Sequence, residues 1–153
     1  MQLLFTKSDR VGSKIIRWGL DEPVSHVGVC HDGIVLHSEM KGVDLDTEDT
    51  FLKNRTIIYI VELPELDIKD FLRVANAYEN ASYDFLALLS FGFYALRRKW
   101  FSTPFPKKNM LSTKGNFLCT EVASMLLWNT ENAILTPYQL YKQIRSSNER
   151  MDK

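Results

Sequence analysis

The 153-residue sequence has only two cysteines, Cys30 and Cys119, set 89 positions apart. A lone distant pair is no framework of the kind that staples small secreted domains, so both read as thiols. Net charge is missing too: nineteen Lys and Arg balance nineteen Asp and Glu, which leaves no global pull towards nucleic acid. No apolar run suits a bilayer. The longest, Phe85 to Leu96, is broken by Ser90 and Gly92, whereas a membrane-spanning helix needs about 20 apolar residues. The start, Met1-Gln2-Leu3-Leu4-Phe5-Thr6-Lys7, reaches charge too soon for a secretory signal. Repeats, low-complexity tracts and Cys-x-x-Cys pairs are also absent. These absences point to a cytoplasmic protein without a membrane span; a substrate outside the cell would have to be reached by way of a partner, a lytic event or a viral particle.

What is present fits one domain over residues 1–153, with 45% hydrophobic residues for a single core. Leu3 to Thr6 reads as a strand and Gly12 to Leu20 as a helix whose apolar face is Ile15, Ile16 and Leu20. Val24 to Cys30 and Ile34 to Ser38 are strands joined at Asp32-Gly33, a strong hairpin signal. Thr56 to Val61 is a third strand, closed by Pro64. From Asp67 onward strands disappear: Ile68 to Tyr78, Asp84 to Leu96, Phe117 to Trp128 and Tyr138 to Ile144 read as helices. Strands first and helices after them argue an α+β fold. Between the helices, Ser102 to Gly115 has two prolines and three lysines, which marks a loop that could gate a site at Cys119.

A two-residue turn at Asp32-Gly33 sets His31 against Ile34, Gly28 against His37 and His26 against Glu39. Alternation then places His26, Gly28, Cys30, Val35, His37 and Glu39 on one face. His26 thus has Glu39 directly opposite and His37 on the diagonal, and either could orient its imidazole. A three-residue turn would send His37 to the other face.

Cys119 follows Asn116-Phe117-Leu118 and opens a helix-forming stretch. With Asn116 as N-cap it takes about the third helical position, where free backbone N–H groups and the helix dipole favour a thiolate. The same N–H groups could polarise a substrate carbonyl. Cys30 shares a strand face with His26, but a strand interior gives its thiol no such help. His31 reads as an exposed turn residue. Glu121 suits the dipole at the helix start.

Six segments, in order and spacing, carry a family likeness: His26-Val27-Gly28-Val29, Ile34-Val35-Leu36-His37, Gly42-Val43, Tyr83-Asp84-Phe85, Leu118-Cys119-Thr120-Glu121-Val122 and Leu135-Thr136-Pro137-Tyr138-Gln139-Leu140. Together they resemble the circularly permuted branch of the NlpC-type papain-fold cysteine hydrolases, close to the YiiX-like proteins. The resemblance implies a permuted papain-like fold, a small antiparallel sheet packed against helices with the nucleophile at a helix N-terminus. It makes Cys119 the nucleophile, His26 the base and His37 the third polar residue, and it implies no cofactor and no metal. Glu39 stays a second candidate orienter, and Tyr83 a candidate pocket residue. YiiX-like members more often carry glutamate where His37 stands. A histidine there is similar to the lecithin:retinol acyltransferase-like proteins.

Two substrate classes follow. Kinship to NlpC implies an amidase or peptidase acting on peptide or cell-wall bonds, whereas His37 and the apolar-basic stretch from Phe85 to Trp100 suit a lipid acyl hydrolase or acyltransferase with weak surface association. Outside catalysis, His26, Cys30, His31, His37 and Cys119 include atoms that zinc prefers, although their spacing is poor for it. A non-catalytic binding module that retains the fold is the remaining reading. Neither nucleic-acid binding nor an oligomeric state is indicated.

Overall fold

The computed structural model describes residues 1–39, 41–78, 81–84, 93–94, 97, 99–101, 116–129 and 135–151. Its first strand, β1 (Gln2–Ser8), carries Leu3, Leu4 and Phe5, all fully buried. Consecutive apolar residues are what a strand covered on both faces requires. Around it runs an antiparallel sheet of β2 (His26–His31), β3 (Ile34–Glu39), β4 (Gly42–Thr47) and β5 (Arg55–Glu62), in the order β4-β3-β2-β1-β5. One face supports the main core, where Leu3, Phe5, Val27, Val29, Leu36 and Val43 meet three helices. These are α3 (Ile68–Tyr78), α4 (Cys119–Trp128) and α5 (Pro137–Met151). The other face holds a smaller cluster of Leu4, Cys30, Val35 and Phe51, the last from the short helix α2 (Glu48–Leu52).

Both turn residues of the β2–β3 hairpin take positive φ, 48° at Asp32 and 77° at Gly33, as a type I′ turn demands. The register is the one this turn dictates: His31 faces Ile34, Cys30 faces Val35 and Val29 faces Leu36. There the ladder stops. Gly28, Val27 and His26 lie beyond the last pair, so β2 and β3 part at the end where His26 sits. The β1–β5 pair shifts register between Phe5 and Thr6, placing a bulge in β5.

Several expectations need correction. The sequence Gly-Val-Asp-Leu-Asp-Thr forms strand β4, which its two aspartates conceal because acids are rare in strands. Thr47 then caps α2, its Oγ1 accepting the Thr50 N–H at 3.3 Å. Strands also do not end at Asp67: β6 (Ser82–Tyr83) and β7 (Asn116–Phe117) pair in parallel. Helix α4 begins at Cys119 with Leu118 as N-cap, so Cys119 is the first helical residue and Asn116 lies in β7. Helix α5 runs well past Ile144. In α1 (Val11–Leu20) only Leu20 is buried, and Ile15 is 60% exposed beside an equally open Trp18. Most of the helix expected over Asp84 to Leu96, and the whole Ser102–Gly115 loop, lie outside the described residues.

No helix among the described residues is long and apolar enough to cross a membrane.

Candidate active site

Alternation along β2 and β3 aims His26 and His37 at the face covered by α2. Phe51 is the floor between them, its ring centroid 5.8 Å from that of His26 and 5.0 Å from that of His37. The imidazoles themselves meet edge to face at 5.6 Å. Gly28 makes this possible. A Cβ there would lie 2.6 Å from Val35 Cγ1 and 2.9 Å from Phe51 Cζ, so any side chain would displace the ring. The glycine after His26-Val27 therefore has a packing reason within this chain.

His37 is buried and its Nε2 lies 3.0 Å from Asp46 Oδ2 on β4. Glu39 is ion-paired with Arg55 at the start of β5, whose guanidinium also donates to the Phe51 carbonyl and stands 4.4 Å above the Phe51 ring. The two candidate orienters thus have partners of their own. Three residues that sequence reasoning missed, Phe51, Arg55 and Asp46, complete the cluster; alternating aspartates at 44 and 46 were the one visible signal, since strand pairing sets them beside β3.

His26 Nε2 and His37 Nδ1 are buried without a hydrogen-bond partner, as is Oγ1 of Thr6, the residue directly opposite His26. Burial holds the His26 pKa well below its ordinary 6.5, with His37 and Arg55 pushing the same way. Burial also lowers that of His37 and outweighs the opposing pull of Asp46. Both imidazoles are therefore neutral at pH 7. A neutral imidazole with a free nitrogen is a base ready to accept a proton.

Cys119 reaches the parted end of β2 and β3 from the helix side. In a type I′ hairpin the residues flanking the turn bond to each other, so by alternation the Val27 N–H points towards β3. The ladder has ended there, and that N–H turns to the Cys119 sulfur instead, together with those of Thr120 and Cys119 itself. The thiol thus meets the backbone of the residue that follows His26, whose own side chain is aimed at the α2 face. Burial nevertheless outweighs the three donors and lifts the thiol pKa to about 11, with Glu121 adding to the rise. The expected resting thiolate is corrected to a protonated thiol. Glu121 is buried and accepts the Leu118 N–H at 2.8 Å, which closes the helix start.

The remaining candidates separate. Cys30 is buried, 3.7 Å from Glu48 Oε2, and burial raises its pKa as well. His31 points to the helix face and packs over Phe71 at 5.8 Å, half-buried rather than exposed. Tyr83 is placed by its backbone opposite Phe117, two residues before Cys119.

One atom each from His26, His37 and Glu39 fall within 4.8 Å of one another, a donor set that a divalent cation could use. Arg55 already supplies the positive charge that Glu39 faces, and a second cation beside it would be repelled.

These shifts predict how stability varies with pH. As pH falls below 6.5 the unfolded chain takes up protons that buried His26 and His37 refuse, so stability is lost towards acid. Above about 9 the unfolded cysteine ionises while folded Cys119 stays protonated up to about 11, so stability is lost there as well. Urea midpoints should fall on both sides of this window, and His26→Gln should shrink the acid loss. Equal midpoints at about pH 5 and about pH 7.5 would refute the assignment.

The chain matches no family model, no curated protein and no solved structure.

Proposed function

We propose that this protein is a cysteine hydrolase with a permuted papain-like fold of the NlpC type, in which Cys119 attacks an acyl carbonyl and His26 serves as base. One observation supports the reading: the Cys119 sulfur lies at a helix start against the N–H of Val27, the residue that follows a buried neutral His26 whose Nε2 has no partner. A protonated thiol next to a neutral imidazole is the starting state of general-base attack. As sulfur bonds to the carbonyl carbon, its proton passes to His26 Nε2. The N–H groups of Cys119 and Thr120 receive the developing oxyanion. His26 then protonates the leaving amine or alcohol, a thioester remains on Cys119, and water attacks it with His26 again as base. His37 is a positioning residue, held by Asp46, that packs edge to face against the His26 ring and limits how it can turn.

The preferred bond is an amide of peptide or cell-wall type. Lipid acyl transfer is the second reading, favoured by an open apolar surface: Val11, Ile15 and Trp18 on α1 are exposed, and Lys99 Nζ stands 3.9 Å from the Trp18 ring centroid. Incubation with peptidoglycan fragments and with phospholipid vesicles, followed by product analysis, separates the two.

An acyl-transferring thiol probe tests the chemistry itself. Cys119 should be labelled at least about a hundredfold faster than Cys30, because Cys119 opens a helix with three backbone N–H groups on its sulfur and meets the residue that follows the proposed base, whereas Cys30 lies inside a strand beside Glu48. Comparable rates at the two cysteines, read by peptide mass spectrometry, would sink the proposal.

A further inference from the structure

Next to the cluster, the β1–α1 turn and the α2–β5 turn abut, since Lys7 pairs with Thr56 and Ser8 with Arg55. Between them lies an open cavity of about 570 Å³ with Lys7, Arg10, Lys53 and Arg55 in its wall. Four cations around one hollow repel each other: burial lowers the pKa of Arg55, and Arg10 lowers it further. Of the four, only Arg55 is ion-paired among the described residues; the single carboxylate in the wall, Asp9, is turned out to solvent and lies 3.8 Å from Lys14. Helix α1 also begins here. Its N-cap, Arg10, makes no side-chain cap and its first turn contains no acid, so the positive end of a ten-residue helix adds to the same field. A protein balanced at zero net charge has concentrated cations at one cavity.

The cavity shares Arg55 with the histidine cluster. Arg55 lines it while its guanidinium is ion-paired with Glu39, and Cys119 is near enough to act on the Arg55 charge. We infer that this cavity binds an anionic group, phosphate or carboxylate, carried by the acyl substrate, and so fixes which end of that substrate meets Cys119. The inference rests on the hydrolase reading for the word substrate; the anion site itself does not.

Binding is read without turnover, by titrating the full-length protein with inorganic phosphate, dimethyl phosphate and acetate and following backbone amide signals of residues 7–12 and 53–56. Saturable shifts are expected there, and whichever anion saturates lowest identifies the group as monoester-like, diester-like or carboxylate. The exposed pair Arg10→Gln and Lys53→Gln should weaken that binding by about tenfold. The same double variant should lower the ratio of iodoacetate to iodoacetamide alkylation at Cys119, because only the former bears a charge for the cavity to attract. Absence of saturable shifts, or unchanged binding in the variant, overturns the site. Cys119 inert to both reagents while anions still bind would instead overturn the hydrolase reading and support the anion site alone.

Discussion

Replacing His26 with alanine should slow acylation of Cys119 by about a thousandfold at neutral pH. The reason lies in the thiol rather than in the histidine. With its pKa at about 11, only about one Cys119 in ten thousand is ionised at pH 7. On the proposed mechanism the parent protein escapes this limit because His26 takes the proton during attack, whereas the variant must use the few thiolates that exist. The two should therefore differ in pH profile as well as rate. The parent rate levels off once His26 is neutral, which its lowered pKa places below 6.5; the variant rate climbs about tenfold per pH unit towards the thiol pKa. Single-turnover acylation by an activated ester, followed across pH, reads both. His26→Gln, nearer in volume, guards against a mere cavity effect. Parallel profiles for parent and variants would mean that His26 is not the base.

The largest loss of stability is expected from Gly42→Ala. Gly42 opens β4 with φ 122°, a backbone conformation that side chains other than glycine's rarely permit. A Cβ would also stand 2.3 Å from the Ala81 carbonyl oxygen. That oxygen accepts the Val43 N–H at 2.9 Å, the bond that ties β4 to the segment leading into β6 and Tyr83. Neither strain nor clash can be relieved without breaking this tie, and the cost should reach about 3 kcal/mol or more. Gly12→Ala is the control: nothing lies within 4 Å of its added Cβ, and alanine in a helix should stabilise by up to about 1 kcal/mol. Urea midpoints decide. A Gly42 variant within about half a kcal/mol of the parent would show that this contact can relax.

The two features most legible in the sequence were local ones. Asp32-Gly33 names its turn type because both residues tolerate positive φ, and the turn then sets every cross-strand pair up to Val29 and Leu36. The helix expected over Ile68 to Tyr78 is there because its apolar residues repeat at the helical period. What escaped was non-local or too short for a period. Five residues of α2 cannot show helical repetition, yet they deliver Phe51, on which both imidazoles rest. Asp46 reaches His37 through the β3–β4 pairing, and Arg55 reaches Glu39 from a strand that is not its neighbour, and no local pattern encodes either. The state of Cys119 was misjudged for a related reason. A helix start announces its donors in the sequence, but the burial that outweighs them exists only in the packed structure.

The parting of β2 from β3 beyond Val29 gives the site a mechanical character. His26 and His37 stand on opposite banks of an opening with no ladder bonds across it, so their separation is a soft coordinate in an otherwise stiff sheet. Phe51 acts as the spacer that sets it. On the hydrolase reading, the width of that opening, set by the volume at position 51, is then a means of tuning how the histidines meet their partners.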